Sequence, residues 1–266
     1  TYLDINRDGL LDLVIGNVLP ATFKEYEVST PLNLFKLPAP EFEGDRRMFK
    51  FMHESWNLAN NGGGLEVFVQ TNRGRFVQED SKKWGLPETR WALALGTGDF
   101  NRDGFTDLYV ANDFGPDDLY FNRGGKRFEN IKGKIFGSIG RDTYKGMNAS
   151  VGDVDRNGWL DVYVSNVHHD MQAEGSLLWM FSPPSQDASN PTIEDRATQL
   201  GALNERRFGW GATMVDFDND AWLDIAQANG MVDNSQDRVE TYGEDCPDYW
   251  YTNEKLARSP PWIHSY

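Results

Sequence analysis

The chain has 266 residues, enough for one large domain or two modest ones, and a single cysteine, Cys246, which excludes an internal disulfide. Its 41 Asp and Glu against 26 Lys and Arg leave a net charge of −15, which argues against a nucleic-acid backbone as main partner, since that calls for a basic patch. Nine Trp among the aromatics mark a chain built to pack a core rather than a disordered acidic tail, and no apolar run approaches the roughly 18 residues of a membrane helix.

Residue 1 is Thr, and no signal-peptide pattern opens the chain, which therefore reads as a processed or partial piece of a longer protein. The first feature is Asp4-Ile-Asn-Arg-Asp-Gly-Leu-Leu-Asp12. Residues 18–64, rich in Pro and aromatics, read as an insertion with room for one short helix. Strands follow at Leu65–Gln70 and Arg75–Gln78. The next stretch shows a whole unit: a strand at Trp91–Thr97, the segment Asp99-Phe-Asn-Arg-Asp-Gly-Phe-Thr-Asp107, and strands at Leu108–Ala111, Leu119–Asn122 and Arg127–Ile131, the last two joined at Gly124-Gly125. The pattern returns at Asp153-Val-Asp-Arg-Asn-Gly-Trp-Leu-Asp161 and at Asp216-Phe-Asp-Asn-Asp-Ala-Trp-Leu-Asp224. Strands are expected around the last of these at Gly211–Val215, Ile225–Ala228 and Tyr249–Thr252. The Pro-Pro within Ala257–Tyr266 argues against a central fourth strand there.

Four gapless copies at spacings of 95, 54 and 63 residues organise the chain. Each has oxygen-bearing side chains at positions 1, 3, 5 and 9, and each is followed five residues later by Asn: Asn17, Asn112, Asn166 and Asn229. Alternating oxygen ligands suit a hard cation of calcium size. The expected ligands are Asp4, Asn6, Asp8 and Asp12; Asp99, Asn101, Asp103 and Asp107; Asp153, Asp155, Asn157 and Asp161; and Asp216, Asp218, Asp220 and Asp224. Side chains at positions 1, 3 and 5 are expected to converge. Position 7 offers a backbone carbonyl, from Leu10, Phe105, Trp159 or Trp222, and the position-9 Asp closes the cage. Gly at position 6 permits a sharp turn in three loops, while the fourth has Ala221. The loops hold 13 carboxylates, and four calcium ions would bring the chain to −7. An EF-hand would place a bidentate Glu at position 12, where this chain has Ile15, Val110, Val164 and Gln227, and strands rather than helices follow.

Four short strands per repeat make an all-β reading, an arc of about four blades of a β-propeller and part of a larger ring of about seven. The blades fall at approximately 1–80, 91–131, 147–195 and 211–266. The first is expected to lack its first strand, and further chain is expected at both ends.

The stretches Gly98–Asn112 and Phe208–Gly230 resemble FG-GAP or VCBS repeats, the second especially those of the cartilage acidic protein group, whose bacterial members often carry an ASPIC/UnbV segment. Leu119-Tyr-Phe-Asn122 and Arg127-Phe128 resemble that group's third and fourth strands. The resemblance covers nearly all of the chain except 18–64 and the last dozen residues, and it departs from the pattern at Ala221. It implies a calcium-binding propeller of integrin-α type, usually exported, with no enzymatic residues to carry over.

Chemistry beyond calcium is sparse. No phosphate loop, nucleophile elbow or CxxC pair is present, and Cys246 reads as a buried or incidental thiol. Asn148-Ala-Ser150 is a sequon set in a strand. His53, His168 and His169 fall in connections between second and third strands, where His168-His169-Asp170 reads as a solvated polar loop. Nothing sets the separation of Asp117 and Asp118, so no catalytic constellation is assigned.

The functional expectation is an extracytoplasmic, non-enzymatic module that binds a protein or glycan partner. An accessory subunit of an electron-transfer assembly, or an enzyme with its site on the face between strands two and three, is the alternative. Partner binding is expected on the connections 18–64, 113–118, 167–176 and 230–248, which bear His53, Trp56, Asp113, His168, His169, Asp170 and Asp233.

Overall fold

The computed structural model describes residues 1–23, 25–31, 39–57, 59–142, 145–169, 172–173, 175–186, 188–205, 207–229 and 263–265. The expected strand at Tyr249–Thr252, the connection 230–248, Asp170, Asp233 and Cys246 lie outside these residues. The chain divides into two units, Thr1–Lys145 and Gly146–Tyr266.

The first unit contains two four-stranded antiparallel sheets. One runs β1 (Tyr2–Leu3), β2 (Asp12–Asn17), β5 (Gly64–Asn72) and β6 (Arg75–Glu79), and between β2 and β5 come the short hairpin β3 (Thr22–Phe23) and β4 (Thr30–Pro31) and the helix α1 (Arg47–Asn57). The other sheet runs β7 (Ala92–Gly98), β8 (Asp107–Asn112), β9 (Asp118–Asn122) and β10 (Phe128–Ile131) in chain order. All three connections there are short, so each strand pairs with the next. The expectation that the first sheet lacks its first strand is corrected: Tyr2 and Leu3 pair with Leu13 and Asp12. Two residues suffice, because the Thr1 amino group and the Val14 amide each bond across to the other residue's carbonyl, at 2.8 and 2.9 Å.

β8 and β9 are buried at every residue, polar ones included. Leu3, Ile5, Val14, Val67, Trp84, Leu86, Leu108, Tyr120 and Phe128 form the core of the unit, with contributions from both sheets.

The insertion makes a second cluster of its own. Phe23, Tyr26 and Phe51 pack with Trp91, whose indole N–H donates to Asn61 Oδ1 at 2.9 Å. Arg47 fixes the start of α1: its guanidinium meets Glu41 and Asp45, each at 2.7 Å, and lies 4.0 Å from the centre of the Tyr26 ring. The outer side of α1 leaves Phe49 and His53 exposed, their rings stacked at 6.2 Å. Trp56 lies in the same helix.

In the second unit, β11 (Asn148–Gly152), β12 (Asp161–Ser165), β15 (Leu177–Ser182) and β16 (Thr192–Asp195) form one antiparallel sheet, followed by the short helix α2 (Ala197–Leu200). The second sheet is ordered β14 (Gln172–Ala173), β13 (Val167–His169), β17 (Arg207–Val215), β18 (Asp224–Asn229) and β19 (Ile263–Ser265). One expectation is corrected here. His168 and His169 do not lie in a polar loop: they sit in β13, and His168 pairs with Arg207 of β17. The connection 167–176 is thus largely a hairpin that extends a neighbouring sheet, and that pairing supplies hydrogen-bond partners for its backbone. The tail also contributes a strand, β19, which runs parallel to β18 with Ile225 opposite Ile263. It starts two residues beyond Pro261, where the missing proline N–H no longer breaks a ladder. Tyr163, Leu178, Ala197, Ala202 and Ile225 form the core.

Candidate metal centre

The four acidic loops join β1 to β2, β7 to β8, β11 to β12 and β17 to β18. Each is built by one hydrogen-bond scheme. The position-1 carboxylate accepts the amides of positions 5 and 6: Asp4 from Asp8 and Gly9 at 3.1 and 2.9 Å, Asp99 from Asp103 and Gly104 at 3.0 and 2.9 Å, Asp153 from Asn157 and Gly158 at 3.0 and 2.9 Å, and Asp216 from Asp220 and Ala221 at 3.1 and 2.9 Å. The position-3 side-chain oxygens of Asn6, Asn101, Asp155 and Asp218 also accept the position-5 amide. The position-5 oxygen accepts the position-7 amide, at 2.7–2.9 Å in all four. A loop in which every acceptor faces inward has to bend tightly, and positions 4 and 6 both take positive φ. These are Arg7 and Gly9, Arg102 and Gly104, Arg156 and Gly158, and Asn219 and Ala221. Ala221 holds φ 71°, a left-handed conformation that costs an L-residue about 1–2 kcal/mol.

The position-9 aspartates sit deepest: Asp12, Asp107 and Asp161 are fully buried and Asp224 is 4% exposed. One oxygen of each accepts the amide of position 2, from Ile5, Phe100, Val154 and Phe217, at 2.9–3.0 Å. In the first three, the other oxygen accepts a backbone amide from the third strand of the same sheet: Gln70 at 2.8 Å, Asn122 at 2.7 Å and Phe181 at 2.9 Å. Burial pushes the Asp107 and Asp161 carboxyls up to about 7 despite these bonds, with the neighbouring loop acids adding to the rise. It raises Asp12 for the same reason.

Carboxylates converge in two of the loops. Oxygens of Asp153, Asp155 and Asp161 lie within 4.8 Å of one another, as do those of Asp216, Asp218 and Asp224. These are positions 1, 3 and 9, and the hard, anionic oxygen set suits calcium. Position 5 differs among the loops. Asn157 sends its amide to Asp155 and to the Phe181 carbonyl, at 3.1 and 2.9 Å. In the first two loops position 3 is an Asn, and the Asn6 and Asn101 amides donate to Asp8 and Asp103, both at 3.0 Å. At position 7, Leu10 and Phe105 are half-buried, Trp159 is buried and Trp222 is 46% exposed.

Within each unit a cation links consecutive loops. The position-4 Arg7 lies 5.0 Å from the centre of the position-7 Phe105 ring, and Arg156 lies 5.2 Å from that of Trp222. Neither contact was predicted, although Arg at position 4 and an aromatic at position 7 of the following loop were the available signal.

Residues 57–110 and 99–164 match the model of the FG-GAP-like repeat. The chain carries FG-GAP-like repeats. Cartilage acidic protein 1 of Mus musculus is 25% identical over 174 residues, 64% of this chain and 26% of the relative. The protein of the same name from Homo sapiens is 26% identical over the same length, 64% of this chain and 25% of the relative, and that of Xenopus tropicalis is 26% identical. The chain thus spans about a quarter of the length of the curated relatives it matches. The repeat matches run through the second and third acidic loops, Asp99–Asp107 and Asp153–Asp161.

At the other end of the strands a buried polar network closes the second sheet of the first unit, and only its Asp117-Asp118 pair had been noticed in the sequence. Asp117 accepts the Tyr109 hydroxyl at 2.6 Å and the Asn112 amide at 2.7 Å. Its own amide donates to Asp142 at 2.8 Å, and Arg90 donates to Asp118 at 3.1 Å. Burial raises both Asp117 and Asp142, and their mutual repulsion raises Asp142 further. The Asn that follows each FG-GAP-like loop is explained here: Asn112 holds the Pro116 carbonyl at 2.9 Å, and Asn166 accepts the Val167 amide at 2.9 Å.

Three outcomes are expected. Asp153→Ala removes the calcium-dependent part of the melting temperature contributed by its loop and changes little in chelator. Asp161→Ala costs about 2–4 kcal/mol even in chelator, because the buried Phe181 amide and the partly buried Val154 amide lose their acceptor, whereas the Asn157 and Gly158 amides held by Asp153 are exposed to water. Equal behaviour of the two variants in a chelator titration followed by calorimetry would separate metal from this loop. The pH dependence has a definite sign. A carboxyl at about 7 when folded and near its ordinary value when unfolded binds its proton more tightly in the fold. Metal-free stability therefore falls as pH rises from about 4 to about 7 and levels off above. Calcium requires the ionised form, so the gap between calcium-loaded and chelated melting temperatures widens across that window. A gap independent of pH would count against Asp107 and Asp161 as ligands. Lastly, Ala221→Gly relieves a left-handed alanine and stabilises the protein by about 1 kcal/mol in denaturant unfolding.

Proposed function

We propose that this chain is a calcium-stabilised β-propeller segment that acts outside the cytoplasm as a protein- or glycan-binding module. The observation that carries this reading is the contrast between the two ends of the sheets. At one end, four loops share one bonding scheme and hold 20 ligand candidates in constant register, a scaffold. At the other, the connections share neither length nor structure: a helix-bearing insertion after β2, a tight polar turn after β8 and a hairpin after β12. Uniform loops and unequal connections divide the work between holding the fold and meeting a partner. A propeller accords with the reading because three of the four larger sheets are four-stranded and antiparallel.

The calcium assignment supports the location. Calcium modules of the extracellular kind bind at about 10⁻⁴ to 10⁻³ M and fill only where calcium is abundant. Among the described residues no helix is long and apolar enough to cross a membrane. The relatives' name, cartilage acidic protein 1, accords with a place outside the cell. No catalytic step is assigned: the acids of the loops are occupied in holding turns, and Asp117 is held by the Tyr109 hydroxyl and the Asn112 amide.

In the first unit the exposed Phe42 and Phe49 beside α1 are the aromatic anchors of the proposed partner face, 59% and 60% exposed. Photo-crosslinkers placed at Phe49 and at Phe105, in the native extracytoplasmic fraction, are expected to trap a partner at Phe49. Capture at Phe105 alone would reverse the assignment of faces.

A further inference from the structure

The segment that follows β10 carries Ile135 and Phe136 side by side, 73% and 79% exposed. Single exposed apolar side chains are ordinary, but an adjacent pair on a fixed loop is not. The loop is fixed by its own backbone. Gly133 donates to the Ile139 carbonyl at 2.8 Å, Ser138 to Ile135 at 3.2 Å, Gly137 to Arg141 at 3.1 Å and Arg141 to Ser138 at 2.8 Å. The Ser138 hydroxyl also donates to the Ile135 carbonyl and the Arg141 side chain to the Gly133 carbonyl. Buried Ile139 and Gly140 root the loop in the unit. The two apolar side chains are therefore held out in water by a rigid frame.

The charge around them is segregated. Lys132, Lys134 and Arg141 are exposed, and residues 130–141 contain no acid, in a chain of net charge −15. Asp142, the next acid, is fully buried. β10 runs away from the acidic loops, so the segment leaves its sheet at the end opposite Asp99–Asp107.

We propose that residues 132–141 form a docking prong for an anionic phospholipid surface. Ile135 and Phe136 enter the boundary between headgroups and acyl chains, while Lys132, Lys134 and Arg141 stay at the phosphates, the two signals that peripheral attachment requires together. A folded protein partner would need roughly 800 Å² of complementary surface on each side, whereas this narrow tip offers two side chains. The proposal goes beyond the interaction module described above and does not depend on it.

The test uses the whole calcium-loaded chain, sedimented with vesicles of phosphatidylcholine alone or of phosphatidylcholine with phosphatidylglycerol. Binding to the mixed vesicles is expected, at least about tenfold stronger than to the neutral ones. The double variant Ile135→Ser, Phe136→Ser should lose about tenfold or more of that binding with an unchanged melting temperature, since both side chains are exposed. Lys132→Gln with Lys134→Gln should lose about tenfold as well. The proposal is overturned if the chain does not sediment with the mixed vesicles. It is equally overturned if binding survives the Ile135 and Phe136 changes and is abolished only by chelator, which would place adsorption on the acidic loops through bridging calcium.

Discussion

The structure hangs on one buried carboxylate per repeat. The position-9 Asp is the point where the acidic loop, the second strand and, in three sheets, the third strand meet. One oxygen holds the amide at the loop's second residue, and the other holds an amide of the third strand, from Gln70, Asn122 or Phe181. A buried backbone amide without an acceptor is costly, and so is a buried carboxylate without donors. Joining the two solves both problems and ties a local turn to sheet pairing up to 58 residues away in sequence. The carboxylate remains costly to ionise, as the upward shifts of Asp107 and Asp161 record. A divalent cation in the loop would favour the ionised form, so the same residue couples metal, loop and sheet.

The loops are then largely prefolded by their own bonds. Position 1 and position 3 oxygens accept amides at distances that hardly vary among the four copies. A ligand set held this way loses little conformational freedom when a cation enters. The cations that bridge neighbouring loops, Arg7 to Phe105 and Arg156 to Trp222, add a lateral tie within each unit and stand where the acidic field is strongest.

The opposite end of the strands obeys a different constraint. There the chain turns on buried side-chain amides, carboxyls and hydroxyls: Asn112, Asp117, Asp118 and Asp142 with Arg90 in the first unit, and in the second the Ser176 hydroxyl, which accepts the Asn166 backbone amide. The connections above these strand ends differ. One carries the aromatic cluster of Phe23, Tyr26, Phe51 and Trp91. Another folds into β13 and β14 and joins a neighbouring sheet.

The acidic loops, the strands of the second repeat and the existence of a helix in the insertion were legible in the sequence, because each rests on local information. Turn residues at constant spacing set the loop, and runs such as Leu108–Ala111 and Leu119–Asn122 set the strands within one or two residues. The FG-GAP-like likeness was a resemblance of the stretches Gly98–Asn112 and Phe208–Gly230, and the family model matches residues 57–110 and 99–164. What escaped was decided by partners distant in the chain. Tyr2 and Leu3 are a strand only because β2 presents an unpaired edge. His168 is in a strand because β17 and β14 lie alongside, and His169 because β14 does. The aim of the position-9 carboxylates also came from distant partners: Gln70, Asn122 and Phe181 of the third strands supply amides to Asp12, Asp107 and Asp161. Spacing alone specifies which residues carry oxygen, but the burial and hydrogen bonds that aim each oxygen come from other strands, and these only the tertiary structure brings into place.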